Sequence, residues 1–110
     1  MSEIRFVLPD RGPVTGTLFF RQPTEDEEFA FCDEKAKPRA SMTRARVRYV
    51  NLLMMGCDGL RVHGEAIDPT DPTWKSKIPV AFKEAICLKT FEAAALFSQD
   101  DEKNSDGPSD

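Results

Sequence analysis

The only histidine of the chain, His63, is the side chain best suited to general acid–base chemistry near neutral pH. It lies between Val62 and Gly64, with no cysteine or aspartate at metal-ligand spacing, so we expect a surface or turn residue. A cysteine nucleophile needs a neighbouring base, and Cys57, before Asp58-Gly59, is the best-placed candidate. An inert thiol is the better interpretation, because nothing in the sequence brings Cys57 and His63 together.

Motifs for metals and cofactors are missing from the sequence. There is no C-x-x-C pair, no H-E-x-x-H and no acidic calcium loop, and the six glycines match neither a phosphate-binding loop nor a dinucleotide fingerprint. The acidic run Glu25–Glu28 is explained by its place at a helix start. We therefore expect a protein that is not an enzyme and has no cofactor or metal.

Six basic residues lie in a stretch of the chain without a single acid. On a helix Arg44 and Arg48 share a face, whereas Arg46 points elsewhere. The sequence leaves three alternatives for such a patch. It is solvated or paired with acids of the same chain, it binds an acidic protein partner, or it binds phosphates of nucleic acid. Pairing within the chain would use Glu25–Glu28 or the acidic C-terminal segment. The six residues are Lys35, Lys37, Arg39, Arg44, Arg46 and Arg48.

Large apolar side chains supply the other candidate contact residues. Tyr49, Met54 and Met55 suit a partner surface because methionine adapts to varied partners, and plain core packing is the alternative. Trp74, on a short segment between prolines, is either an exposed anchor or a side chain folded over the core. With Arg44 and Arg48, these four residues form the predicted partner-binding set.

Composition limits the chain to one domain. A protein of 110 residues with 40% apolar and 31% charged residues has room for a single modest core, which we place in residues 1–97. The formal charge of −4 belongs to residues 98–110, which contain five acidic residues and one basic residue, Lys103. The remainder of the chain is therefore formally neutral. We expect that segment to be disordered. Three unpaired cysteines and the lack of a signal sequence or membrane span favour a cytoplasmic location, with the cysteines reduced and mostly buried.

The order of patterns predicts an α+β fold, an N-terminal antiparallel hairpin packed against about three helices. Alternation from Glu3 to Leu8, a turn at Pro9–Pro13 and a β-branched run from Val14 to Phe20 indicate the hairpin. Thr24 with Glu27 forms a capping box for a first helix to about Glu34, which would present Phe29 and Cys32 on one side.

Two further helices complete the predicted domain. Apolar spacing from Ser41 to Met55 indicates the second, with Gly56 as its C-cap and a turn at Cys57–Gly59. A rigid connection at Asp68–Thr73 then leads to a last helix with Pro79 at its first position. That helix would bury Phe82, Ile86, Ala93 and Phe97, with Lys83, Glu84, Lys89 and Glu92 among its polar residues.

Taken in order, these segments resemble small phage tail assembly chaperones. The resemblance depends on a series of short segments. These are the hairpin running into Arg21–Thr24, the acidic helix start, Gly56–Leu60 after the middle helix, Gly64–Ile67, Trp74, Ile78-Pro79 and Phe82–Ile86. These short motifs cover most of residues 3–92. The basic segment and the acidic C-terminal segment are departures from what we expect of that family.

The resemblance implies a non-enzymatic function. Such a chaperone covers apolar helical stripes of a tape-measure or tail-tube protein until other subunits replace it, and its affinity is moderate because the partner must be released. The alternative is a small nucleic-acid-binding or regulatory protein that uses Arg39–Arg48, whose binding falls steeply with added salt.

Overall fold

A four-stranded antiparallel sheet and three α-helices form residues 3–92, which are the residues that this computed structural model describes. The predicted α+β class and N-terminal hairpin are confirmed. Residues 98–110, predicted to be disordered, lie outside the described residues, as do Ala93 and Phe97 of the predicted apolar stripe. The elements are β1 (Glu3–Val7), β2 (Val14–Arg21), α1 (Glu25–Ala36), α2 (Met42–Leu53), β3 (Met54–Val62), β4 (Glu65–Ala66), a 3₁₀ turn (Trp74–Lys77), α3 (Val80–Ile86) and a π-helical turn (Cys87–Glu92).

The sheet has the strand order β1-β2-β3-β4, with the hairpin partners Ile4 and Phe20 in register. Strand β3 follows α2 without a loop, so the predicted C-cap at Gly56 and turn at Cys57–Gly59 are wrong. Gly56 instead pairs with Phe19 of β2. Hydrogen bonding to β2 keeps this stretch extended despite its turn-like composition. The register between β2 and β3 shifts at two positions, where the strands depart from regular pairing.

Gly16 marks one of these irregularities, between Thr15 and Thr17. Its φ is +114°, a conformation that side chains with a Cβ rarely adopt. A Cβ at this position would lie 2.5 Å from the carbonyl oxygen of Gly59 in β3. Close approach of the two strands therefore requires glycine here.

Helix α1 begins with the predicted capping box. The Thr24 hydroxyl accepts a hydrogen bond from the Glu27 amide, and the Glu27 carboxylate accepts one from the Thr24 amide. Arg21 donates two further hydrogen bonds to the same carboxylate. These bonds are the largest cause, and the bond from the Thr24 amide the second, of a pKa of Glu27 lowered to about 2. The side that carries Phe29 and Cys32 is exposed, and Phe31 is the residue that packs inward.

Helix α2 is capped by Ser41, whose hydroxyl accepts a hydrogen bond from the Arg44 amide. Its inner face packs against the other elements through four buried side chains. The opposite face carries arginines and remains accessible, as amphipathic spacing predicts. The buried residues of α2 are Ala45, Tyr49, Val50 and Leu53.

The connection from Asp68 to Thr73 is built from two successive side-chain turns, as its repeated triplets predict. Asp68 accepts hydrogen bonds from the Thr70 amide and hydroxyl, and Asp71 does the same for Thr73. The second turn leads directly into the 3₁₀ turn, which begins at the buried Trp74.

Helix α3 begins at Val80, one residue after the predicted start, with Pro79 as its N-cap. Ile86 is buried and Phe82 partly buried, as predicted. Lys83, predicted among the polar residues, is only 3% exposed, so its assignment to the outer face was wrong.

Four aromatic rings join the helices to the sheet. Phe31 of α1 stacks on Tyr49 of α2 with 4.0 Å between centroids, and Tyr49 meets Phe91 edge-on. Phe91 in turn meets Phe20 of β2 edge-on. This row runs through the single core cluster of residues 3–92. No helix in that described part is long and apolar enough to span a membrane.

Candidate functional site

The connection between α1 and α2 gathers several basic residues on one side of the molecule. Lys37 is the C-cap of α1, and its carbonyl accepts a hydrogen bond from the Ala40 amide. Arg39 has a φ of +61°, which lets the chain reverse within four residues. The reversal brings Lys37 and Arg39 beside Arg44 and Arg48, and all four line one cleft.

Two members of the basic segment are paired with acids from the C-terminal elements. Arg46 Nε lies 2.8 Å from Glu92 Oε2 and its Nη1 lies 3.1 Å from Glu84 Oε2. Lys35 Nζ lies 3.3 Å from Glu92 Oε1 and 4.1 Å from the centroid of the Phe31 ring. These pairs are partly buried, so the two cations are part of the folded scaffold.

Glu92 is the centre of this ionic cluster. Burial acts to raise the pKa of Glu92, but hydrogen bonds from Arg46, Cys87 and Lys35 outweigh it and leave the pKa below its usual value. The π-helical turn explains the geometry, because its wider turn places residue i+5 near residue i. The Cys87 thiol accordingly lies 3.4 Å from Glu92 Oε2.

The remaining four basic residues, Lys37, Arg39, Arg44 and Arg48, form what we call the basic surface. Arg48 is paired with Glu34, while its side chain stays largely exposed. Lys37, Arg39 and Arg44 are exposed, with no carboxylate of residues 3–92 within ion-pair distance. The predicted internal pairing thus occurs, but its acids are Glu34, Glu84 and Glu92 instead of Glu25–Glu28.

Arg44 and Arg48 stand between two clefts. On one side is the cleft of the α1–α2 connection, about 390 Å³ in volume. On the other is a groove of about 310 Å³ between α2 and the start of α3, where Val47 faces Val80; we call it the valine groove. A ligand that covers both clefts therefore meets two guanidinium groups at its middle.

Four apolar side chains are exposed on α2, β3 and α3, and one of them lines the valine groove. Leu52 continues the row of Arg44 and Arg48 by one helical turn, and Val80 lines the groove itself. Met42 is the first residue of α2, and Met55 is the second residue of β3. These four side chains are between 43% and 51% exposed, which is high for residues of this size.

The six predicted contact residues do not form one surface. Tyr49, Met54 and Trp74 belong to the core, each no more than 6% exposed, so the interpretation of Trp74 as an exposed anchor was wrong. Tyr49 faces the aromatic row because it lies about a third of a turn from Arg48, and burial raises its pKa to about 12. Arg44, Arg48 and Met55 are exposed and stay in the candidate site.

Neither the valine groove nor a second apolar cleft was predicted from the sequence. The second cleft, about 810 Å³, lies between the outer strand β1, α1 and the π-helical turn, with Ile4, Phe6 and Phe91 among its apolar residues. Glu92, the last described residue, stands at its rim. The alternation of polar and apolar residues along β1 indicates that the strand has an apolar face. It does not indicate whether other elements cover that face or leave a cleft beside it.

Burial disfavours the thiolate form of Cys57, the cysteine considered for catalysis. His63 is exposed in the turn between β3 and β4, as predicted. Burial, and then Asp58, raise the pKa of Cys57, and burial with the Glu92 contact raises that of Cys87 to about 12. Cys32 is exposed, contrary to the expectation of mostly buried thiols. Among residues 3–92 no group of three or more histidine, cysteine or carboxylate side chains could hold a metal ion.

Comparison with protein-family models, with curated proteins and with solved structures gave no match to this chain. The assignment of function therefore depends on the surface just described and on the sequence resemblance.

Proposed function

We propose that this chain is a non-enzymatic protein-binding module that acts in the cytoplasm and holds an acidic, partly apolar segment of another protein. The observation that carries the proposal is the position of Arg44 and Arg48 between a basic cleft and the valine groove. Arginine is enriched at protein interfaces, where its planar head pairs with carboxylates and its stem packs on apolar groups.

The exposed apolar residues favour protein over nucleic acid as the ligand. A phosphate backbone offers little to Leu52, Met42 and Val80, whereas a helix with one apolar face would bury them and the wall of the valine groove. Acids on the edge of such a helix would face Arg44 and Arg48. This combination matches common protein interfaces, an apolar centre with charged residues around it.

The resemblance to tail assembly chaperones adds the identity of the partner. We propose a tape-measure or tail-tube protein, whose apolar helical stripe is covered until other subunits replace the chaperone. The contact surface differs from the one predicted from sequence, because Tyr49 and Met54 are buried. Leu52 and Val80 replace them as apolar contacts, next to Met55, which was predicted from the sequence and is exposed.

Nucleic acid is the second candidate ligand, because three exposed basic residues lie on one surface without a described acid beside them. Lys37, Arg39 and Arg44 could contact phosphates of one strand. Against this, Lys35 and Arg46 are neutralised by Glu84 and Glu92. The basic surface therefore has fewer cations than the six that the sequence suggests.

Affinity capture with and without nuclease separates the two candidates. The full chain is used as bait in a native lysate of its source, next to the variants L52S/M55S and F29S. Phe29 is a matched control, an apolar side chain 60% exposed on α1 that lines none of the three clefts. All three baits should unfold at similar temperatures, because the changed residues lie on the surface.

The proposal predicts one stoichiometric protein that survives nuclease, is retained by F29S and is lost with L52S/M55S. Identification of that protein as a tail component would support the chaperone function. Recovery that disappears with nuclease would establish nucleic acid as the ligand. Equal retention by both variants would show that the apolar face of α2 takes no part.

A further inference from the structure

We propose that the acidic segment from Ser98 to Asp110 of this chain binds its own basic surface, so that the chain covers its binding site when no partner is present. This contact is independent of the proposed function. Only its consequence, competition with an acidic partner, rests on that function.

Charge complementarity is the first argument. The segment carries five acidic residues and one lysine, while residues 1–97 are formally neutral. On the described part of the chain, Lys37, Arg39 and Arg44 are exposed cations grouped around one cleft, and Glu34 neutralises only Arg48. The acidic segment and the basic residues of this cleft thus carry opposite charge.

The path of the chain is the second argument. Glu92, the last described residue, is fixed against Arg46, in the turn of α2 that lies between Arg44 and Arg48. Asp100 follows Glu92 by eight positions, which can span about 26 Å when extended. A helix with its side chains is about 10–12 Å across, so the first acids of the segment can pass around α2 to the basic surface.

The tether compensates for the weakness of exposed ion pairs. Each such pair contributes little and is screened by salt. A tether of a few residues, however, holds the segment at an effective concentration of the order of millimolar, which favours several weak pairs acting together. Binding of this kind is reversible, so a partner that adds apolar contacts in the valine groove displaces the segment.

Carbodiimide cross-linking of the purified full chain tests the contact without any partner. The reagent joins carboxylates to lysine amines that lie beside them, and Lys37 is the only lysine of the basic surface. Lys35 with Glu92 serves as an internal positive control, since their atoms are 3.3 Å apart. Lys77, on the 3₁₀ turn, is exposed and serves as the comparison lysine.

The proposal predicts cross-links within one chain from residues 100–110 to Lys37, several-fold more abundant than those to Lys77. These should fall about fivefold in about 0.5 M salt, which shortens the screening length to a few ångström. The Lys35–Glu92 product should change far less. Equal yields at Lys37 and Lys77 would overturn the proposal, and so would cross-links found only between two chains.

A second variant separates charge from the identity of Lys37. R39Q/R44Q/R48Q keeps Lys37 but removes the charges around it, so its cross-link to residues 100–110 should fall several-fold. R11Q/K89Q removes exposed basic residues elsewhere and should leave the cross-link unchanged. The thermal unfolding temperature confirms that each variant is folded. An undiminished Lys37 cross-link in folded R39Q/R44Q/R48Q would contradict the proposal.

Discussion

The guanidinium of Arg46 and the carboxylate of Glu92 form an ion pair 2.8 Å long, although 46 positions separate them along the chain. This pair ties α2 to the π-helical turn and takes Arg46 out of the exposed basic segment. The four basic residues that remain, Lys37, Arg39, Arg44 and Arg48, face a cleft of their own. The fold therefore divides one basic segment into a structural part and a part available to a ligand.

The first prediction concerns this pair. Glu92→Gln should destabilise the fold by about 1–2 kcal/mol at neutral pH, because Arg46 and Lys35 lose a partly buried charged acceptor. Urea unfolding measures the change. Glu65→Gln is the control, since Glu65 is exposed and forms no ion pair among the described residues.

The sign of the pH dependence follows from the lowered pKa of Glu92. The stabilisation is complete above the unfolded value, near 4.3, and is lost as the pH falls through the lower folded pKa. The difference between wild type and Glu92→Gln should thus shrink on acidification below about pH 4. A difference that stays constant down to pH 2 would show that ionisation of Glu92 contributes nothing.

The second prediction concerns the close approach of β2 and β3. Gly16→Ala should destabilise the fold by about 2–4 kcal/mol, because the new methyl group would overlap the Gly59 carbonyl and the backbone would be strained. Gly56→Ala in β3 is the matched control, with an ordinary φ and no atom within 4 Å of the added Cβ. Equal free energies of unfolding for the two variants would contradict the geometry at Gly16.

The third prediction concerns the buried amine of Lys83. Burial, with a smaller contribution from Lys75, lowers its pKa, so between the folded value and about 10.4 the unfolded chain binds more protons. Stability contributed by this group therefore rises with pH through that window. Lys83→Met should increase the free energy of unfolding by about 1 kcal/mol at pH 7, and by less near pH 10.

Lys89→Met is the control for this change, because Lys89 is exposed and its removal should alter stability little. Chemical denaturation at both pH values provides the measurement. Loss of stability in Lys83→Met at pH 7 would show that the amine has a favourable partner and that burial does not dominate its energy.

The fourth prediction separates the two faces of α2. Tyr49→Asp should unfold the protein, since it places a charge in the aromatic row between Phe31 and Phe91. Leu52→Asp, three residues later and half exposed, should leave the fold intact. The single tryptophan, Trp74, is buried and reports unfolding by a red shift of its emission. A folded Tyr49→Asp variant would contradict the assignment of Tyr49 to the core.

Local signals made much of the fold predictable. The capping box at Thr24 and Glu27, the hairpin and the turns at Asp68 and Asp71 depend on residues close in sequence, and they were predicted correctly. The side of α1 that packs inward was not predicted, because both Phe29 and Phe31 suit an apolar face. The choice of Phe31 depends on stacking with Tyr49, a residue that belongs to another helix.

Other features required tertiary information. Strand β3 has a turn-like composition at Cys57–Gly59, and it is extended because β2 offers hydrogen bonds to it. The ligand-facing part of the basic segment could not be read from spacing alone, since Glu84 and Glu92 reach Arg46 only through the arrangement of α3 and the π-helical turn. The face shared by Arg44 and Arg48 followed directly from helical periodicity.

Titration calorimetry of the captured protein partner against wild type, R44E/R48E and R11E/K89E tests whether Arg44 and Arg48 form the binding surface. The two double variants change the net charge equally, but only the first alters the surface between the two clefts. We predict at least about a tenfold loss of affinity for R44E/R48E, or about 1.4 kcal/mol, and little change for R11E/K89E. Equal affinities for the two variants would contradict the assignment of Arg44 and Arg48 as the binding surface.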